Sequence, residues 1–343
     1  MKGIPITRAS HLLPYVECLR QIGVPVEREL ERSRLSPALI GQPDMLVPGL
    51  PVMHFLQQTG QRQGLEELGL LGTYKMEITQ LSGGFLRQAQ HALTLSAMLE
   101  LFSKLVYLED PLVRYWLDGQ TDMVRICNSI DFPTDTPGLE YCEWIQNMVG
   151  VAMVRACAGR HWHPIEMAFR SRMHPGRFAQ EQFPGTRFLV GQPCAWISMP
   201  RASLSLSPQK NGNSSDPHHL SLPDQVVPIE DFTSLPGSLK LLLKPYIREG
   251  YPHIQLAAEM ADVSVRTLQR RLSDEGLDYS TLIHQVRLES AMRLLKDRHL
   301  KVIDVAYEVG YEDPSNFARA FRALTGLSPR EFQHHAVEGV NGK

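Results

Sequence analysis

Leu256-Ala-Ala-Glu-Met-Ala-Asp-Val-Ser264-Val-Arg-Thr-Leu-Gln-Arg-Arg-Leu272 is followed, about fifty residues later, by Val305-Ala-Tyr-Glu-Val-Gly310-Tyr-Glu-Asp-Pro-Ser-Asn-Phe-Ala-Arg-Ala-Phe321. Ala258 aligns with Ala306, Leu268 with Phe317, Arg270 with Arg319 and Leu272 with Phe321. Each stretch predicts a short apolar helix, a tight turn and a second helix with apolar residues four apart and Arg on the opposite face. That is the sequence form of a helix-turn-helix. Two in tandem point to DNA.

Local chemistry supports the repeat. Ser264 is placed to cap the second helix of the first copy, with Val263 and Leu268 as a hydrophobic staple. Leu268 and Leu272 then face inward, leaving Arg266, Thr267, Gln269 and Arg270 outward near the helix start. Arg can pair with guanine O6 and N7, and Gln with adenine N6 and N7. In the second copy Asp313 caps and Pro314 is the first helical residue. Phe317 and Phe321 turn inward, and Ser315, Asn316 and Arg319 outward, with Arg322 one turn on as a phosphate contact. Ser328-Pro-Arg-Glu331 forms a capping box for a last helix. Between the copies, Thr281 to Asp297 predicts an amphipathic helix carrying Leu282, Val286, Leu294 and Leu295. Held rigidly, the two readers would reach successive major grooves, which lie about 34 Å apart.

The net charge of -2 over 343 residues does not advertise a nucleic-acid partner. Its distribution does. Val263 to Leu272 holds three Arg and no acid, and so does Pro314 to Arg330. Local basic patches form the electrostatic footprint. A single exposed Arg is usually only a solvated face; the shared register of Arg270 and Arg319 argues against that reading here.

The remainder supports at least one further domain. Residues 1 to about 105 read as helices, including Ser10 to Gly23, a short helix opened by Ser36-Pro37, Pro51 to Gln63 and Gly83 to Val106. Leu112 to Leu117 and Met123 to Ile130 predict two strands of a hairpin. A helix follows from Leu139 to Ala158, then strands at Ile165 to Arg170, Arg187 to Val190 and Cys194 to Ser198. The expectation is an α+β effector domain with an antiparallel sheet over residues 1–205. A linker at 206–234 joins it to an all-α domain with two helix-turn-helix units at 235–343.

Other chemistries find little support. The five cysteines (Cys18, Cys127, Cys142, Cys157, Cys194) are dispersed, which fits reduced thiols and a cytoplasmic location. Neither a secretory leader nor a membrane span is expected: the apolar run at Trp144 to Ala158 is too short and is bracketed by charge. His161, His163 and His174 match no zinc spacing, so no metal site is expected. No cofactor motif, P-loop, G-x-S-x-G or H-E-x-x-H occurs, and no catalytic residue is assigned. Trp116, Trp144, Trp162 and Trp196, with Arg155, Arg170 and Arg172, could wall a pocket for an organic acid. The favoured reading is an aromatic core with exposed Arg on sheet edges.

Arg287-Leu-Glu-Ser-Ala-Met-Arg-Leu-Leu295, Val305-Ala-Tyr-Glu-Val-Gly-Tyr311, Asn316-Phe-Ala-Arg-Ala-Phe-Arg322 and Gly326-Leu-Ser-Pro329 together resemble the AraC/XylS family of bacterial transcription regulators. The resemblance covers about a hundred residues. Tyr307, Glu308 and Tyr311 depart from the residues common there, away from the expected readers. Ser10-His-Leu-Leu-Pro-Tyr15, Ile22-Gly-Val24, Leu35-Ser-Pro-Ala-Leu39 and Leu70-Leu-Gly72 resemble the arabinose-binding-type effector domain of one branch. The resemblance implies an activator, not an enzyme, with promoter DNA and RNA polymerase as partners. It also implies a small-molecule effector and a homodimer. Two alternatives stand beside it: an amino-terminal half that only dimerises or docks a protein, and an enzyme fused to a DNA-binding tail, which would need a reactive Cys.

Overall fold

A computed structural model describes residues 3–78, 91–119, 122–209, 232–297 and 299–338. The chain divides into two compact units, one of Pro5–Pro228 and one of Ile229–Lys343 together with Met1–Ile4. Most of the expected 206–234 linker, and the start of the expected Gly83 helix, lie outside the described residues.

The larger unit is built around one helix. Its helices are α1 (Leu13–Gln21), α2 (Val26–Arg32), α3 (Gly49–Gln63), α4 (Leu68–Leu71), α5 (Leu95–Glu109), α6 (Leu139–Ala158) and α7 (Arg177–Gln182). Its strands are β1 (Ile6–Arg8), β2 (Leu46–Pro48), β3 (Val113–Gly119), β4 (Met123–Ile130), β5 (Glu166–Ala168), β6 (Arg187–Leu189) and β7 (Ala195–Pro200). Fifteen of the 20 residues of α6 are buried, because β4 and β7 pack on one side and α3, α4 and α5 on another. A helix enclosed in this way must be apolar nearly all round. This accounts for the membrane-like composition of the segment; no described helix is long and apolar enough to cross a membrane. Gly150 lets α6 approach the sheet closely: a Cβ there would stand 3.1 Å from the Ile197 side chain.

The five-stranded sheet runs β3-β4-β7-β5-β6. The expected hairpin is present, with Val113 opposite Ile130. The expectation of a wholly antiparallel sheet is corrected at one edge, where β5 and β6 pair in parallel. The α7 crossover between them makes that possible, since parallel neighbours need a long connection. The all-helical reading of the first 105 residues is also corrected: β1 and β2 form an antiparallel ribbon with Thr7 opposite Val47. Two buried amides link α6 to the sheet. Asn128 donates to Asn147 at 3.0 Å, and Asn147 donates to the Ala168 carbonyl at 3.0 Å.

The smaller unit is helical: α8 (Leu235–Leu243), α9 (Ile254–Met260), α10 (Val265–Asp274), α11 (Tyr279–Leu294), α12 (Val302–Glu308), α13 (Pro314–Thr325) and α14 (Pro329–Glu338). The start of the chain joins it, since Gly3 N–H donates to the Thr233 carbonyl and Ile4 N–H to Ser238 Oγ. The connecting helix α11 begins before the expected Thr281, because Asp278 caps it by accepting from Thr281 N at 2.7 Å. It is less one-sided than expected. Leu282 and Ile283 are buried at one end, while Val286, Ala291 and Leu295 join the core of the second helix-turn-helix. The far half of this helix is therefore part of the core of the second copy.

Candidate nucleic-acid interface

Each copy is held by the same local bonds. In the first turn, Asp262 N–H donates to the Glu259 carbonyl and Val263 N–H to the Ala258 carbonyl. Forty-eight positions on, Gly310 N–H donates to Tyr307 and Tyr311 N–H to Ala306. Both central residues adopt left-handed backbone, Asp262 at φ 51° and Gly310 at φ 76°. Asp tolerates that conformation better than most side chains. Gly310 has no alternative, because a Cβ would run into the Ile247 carbonyl oxygen.

The second helix of each copy starts as its sequence dictates. Ser264 Oγ accepts from Thr267 N at 3.2 Å, and Asp313 Oδ1 accepts from Ser315 N at 2.7 Å. Neither α10 nor α13 carries an acidic residue in its first turn. At α10, capped by the neutral Ser264, the remaining free N–H groups and positive dipole end suit a phosphate; at α13 the Asp313 carboxylate already occupies that end. The capping box at the start of α14 is reciprocal: Ser328 N donates to Glu331 Oε2 at 2.7 Å, and Glu331 N donates to Ser328 Oγ at 3.3 Å. The bond from Ser328 holds the Glu331 carboxyl below its usual range.

On α10, Leu268 and Leu272 are fully buried, and Arg266, Gln269 and Arg270 are exposed. Thr267 is half-buried, with its hydroxyl against that of Ser264 at 2.9 Å. On α13, Phe317 and Phe321 are buried, and Ser315, Asn316, Arg319 and Arg322 are exposed. Arg319 donates to Asn316 Oδ1, so these two candidate readers hold each other in the free protein.

Two supporting residues carry little signal as isolated letters. Arg287 is only 8% exposed; its guanidinium lies 4.8 Å from the Tyr311 ring centre and donates to the Gly310 carbonyl. It ties α11 to the second turn. Tyr279 donates to the Pro252 carbonyl at 2.9 Å and anchors the start of α11 beside the first copy.

Residues 257–335 match the family model of a helix-turn-helix domain, HTH_18. The carboxy-terminal unit carries the AraC-type helix-turn-helix domain of a DNA-binding transcription regulator. The chain is similar along nearly its whole length to the HTH-type transcriptional regulator VirS of Mycobacterium tuberculosis, at 23% identity over 343 residues and 98% of each chain. It is 29% identical over 175 residues to the ornithine utilization regulator of Pseudomonas aeruginosa, covering 49% of each. Among solved structures, the transcriptional regulator CdpR from Pseudomonas aeruginosa aligns with a TM-score of 0.39 at 20% identity, over 90% of this chain and 96% of that one.

The aromatic and Arg candidates for an effector site in this regulator are not gathered in one place. Trp116 and Trp196 share one sheet face, each paired in register with Cys127; Trp116 is 39% exposed, and Trp196 lies under Arg125. Trp144 is on α6, packed against Phe169 at 4.6 Å between ring centres. Arg170 spends its guanidinium on the carbonyls of Ile130 and Phe132, at 2.7 and 2.9 Å. Arg172 is exposed. Arg155 donates to the Trp162 carbonyl at 3.0 Å. Of the three histidines weighed as metal ligands, His161 and His174 are exposed, and His163 stands edge-on to Phe183. Among the described residues no group of three or more His, Cys, Asp or Glu could hold a metal ion.

Proposed function

We propose that this regulator activates transcription by reading two successive major-groove segments, gated by a small effector bound in its amino-terminal half. Arg266, Thr267, Gln269 and Arg270 read the first segment; Ser315, Asn316 and Arg319 read the second. Arg322 grips phosphate. Residues 1–205 form the sensor and dimerisation domain, 206–234 the linker and 235–343 the reader. The active species is a cytoplasmic homodimer that engages RNA polymerase at the promoter.

The observation carrying this reading is the pair of exposed Arg side chains, Arg270 and Arg319, each six residues after its helix cap, Ser264 or Asp313, behind turns closed by the same bonds. Arg322→Ala should weaken binding to all sequences alike and flatten the salt dependence by about one counterion. An unchanged slope in binding titrations across salt concentrations removes Arg322 from the phosphate contacts.

An enzymatic role for the amino-terminal half is disfavoured by its thiols. Burial pushes Cys127 up to about 12 and Cys157 up to about 11, and it raises Cys18, Cys142 and Cys194 as well. A nucleophilic cysteine needs the opposite shift. Effector gating is tested on the full chain by thermal-shift screening against metabolites, followed by DNA titration with each hit. A saturable ligand that changes DNA affinity supports gating. Binding that leaves DNA affinity unchanged contradicts it.

A further inference from the structure

We infer that β3 is the edge through which two copies of this chain associate. The two β3 strands pair antiparallel about a two-fold axis at Trp116, joining two sheets into one. The inference rests on the homodimer proposed above and names its surface.

The strand is an open edge. It stands at one end of the sheet order and pairs with β4 alone. Among the described residues, the backbone of residues 114–118 bonds to nothing outside that pair. Such an edge offers a further strand its unpaired N–H and C=O groups, unless it is short, broken by Pro or twisted away by a bulge. β3 has seven residues, no Pro and unbroken register with β4 from Val113 to Gly119. The opposite edge, β6, has only three residues.

The side chains along β3 complement their own reverse. The Tyr115 hydroxyl donates to the Gln146 carbonyl of α6 at 2.6 Å, so the alternate residues Arg114, Trp116 and Asp118 share the opposite face. All three are exposed, Trp116 by 39%. In an antiparallel pair centred on Trp116, Arg114 of each copy lies directly opposite Asp118 of the other. The two Trp116 rings meet at the axis, and Tyr115 meets Leu117 on the inner face. Opposite charges and aromatic pairs so placed each stabilise a ladder. Neither Arg114 nor Asp118 forms an ion pair among the described residues. Arg125, across from Asp118 on β4, turns instead to Glu166 at 3.8 Å and to the Trp196 ring.

The same pattern fixes the register. A slip of one residue would set the open face of one copy against the inner face of the other. A slip of two would bring Arg114 or Asp118 opposite Trp116 and break both ion pairs.

The test is sedimentation of the full chain with these charges exchanged. Arg114→Asp alone, or Asp118→Arg alone, turns two attractive pairs into two repulsive ones. Each should weaken the dimer by about tenfold or more. Mixed in equal amounts, the two variants should associate with each other as tightly as the parent does with itself. A chain carrying both substitutions should also dimerise like the parent, which separates lost pairing from lost folding. A dimer that no variant weakens places the interface elsewhere and leaves the homodimer standing. Single variants that dissociate, with no recovery in the mixture or the double variant, overturn the pairing about Trp116. A parent that sediments as a monomer at every concentration overturns both the edge and the homodimer.

Discussion

The two helix-turn-helix copies share their turn bonds and differ in almost everything that surrounds them. The first is closed by aliphatic side chains, Leu268 and Leu272, and its turn carries an exposed Asp262. The second is closed by an aromatic series in which Tyr311, Phe317, Phe321 and Phe332 follow one another at 5.5 to 5.6 Å between ring centres. Its turn is overlaid by Arg287 and the Ile247 carbonyl. The reading faces differ too: the candidate readers of α10 are largely separate, whereas Arg319 and Asn316 of α13 are bonded together. The same backbone frame therefore serves a reader closed by aliphatic side chains and one closed by aromatic side chains and Arg287.

Substitutions can break that contrast at several strengths. Phe321→Ala should cost the most, about 3–5 kcal/mol, because it removes the middle of the aromatic series. Leu272→Ala at the matching position should cost about 2–4 kcal/mol. Urea unfolding of both variants checks the order, and equal losses would remove the packing distinction. Gly310→Ala should cost about 2–4 kcal/mol from left-handed strain plus the forced displacement of Ile247. Asp262→Gly should stay within about 1 kcal/mol of the parent, since its site is open and glycine prefers that backbone. A Gly310→Ala variant that melts with the parent would show that the second turn is not braced.

The smallest expected effect concerns pH. The capping box of the helix after the second reader includes a carboxylate, Glu331, whereas α10 is capped by the neutral Ser264. The folded Glu331 carboxyl lies below its ordinary value of 4.5. Its contribution is therefore present above that value and lost as pH falls through the depressed one. Amide exchange at the start of α14 should accelerate in acid before that of α10 does. Glu331→Gln keeps a capping side chain and should remove the difference; persistence of the pH effect would assign it to another group.

The carboxy-terminal unit was legible because its signals are local. Ser264, Asp313-Pro314 and the Ser328–Glu331 box each act within three residues, and inward and outward faces follow from helical spacing. The bounds of α6 were equally plain, an apolar run closed by Gly138 and Gly159. What escaped was tertiary. The β1–β2 ribbon has three residues per strand, too few for a period to register. The parallel β5–β6 pair depends on where α7 carries the chain. The buried cluster of Thr7, His11 and Asp110 joins residues about a hundred positions apart, a spacing that no local pattern encodes. The effector candidates chosen for aromatic and Arg character are instead scattered over both faces of the sheet and its edges.

The central claim is that two helices read two adjacent DNA segments, and selection from a random-sequence DNA pool with the full-length protein tests it most directly. Two preferred base blocks should emerge with centres about 10 base pairs apart, one turn of the duplex. Arg270→Ala should relax preference within one block and Arg319→Ala within the other, each costing about 1–3 kcal/mol on the selected site. A single preferred block, or both substitutions relaxing the same block, would contradict the account.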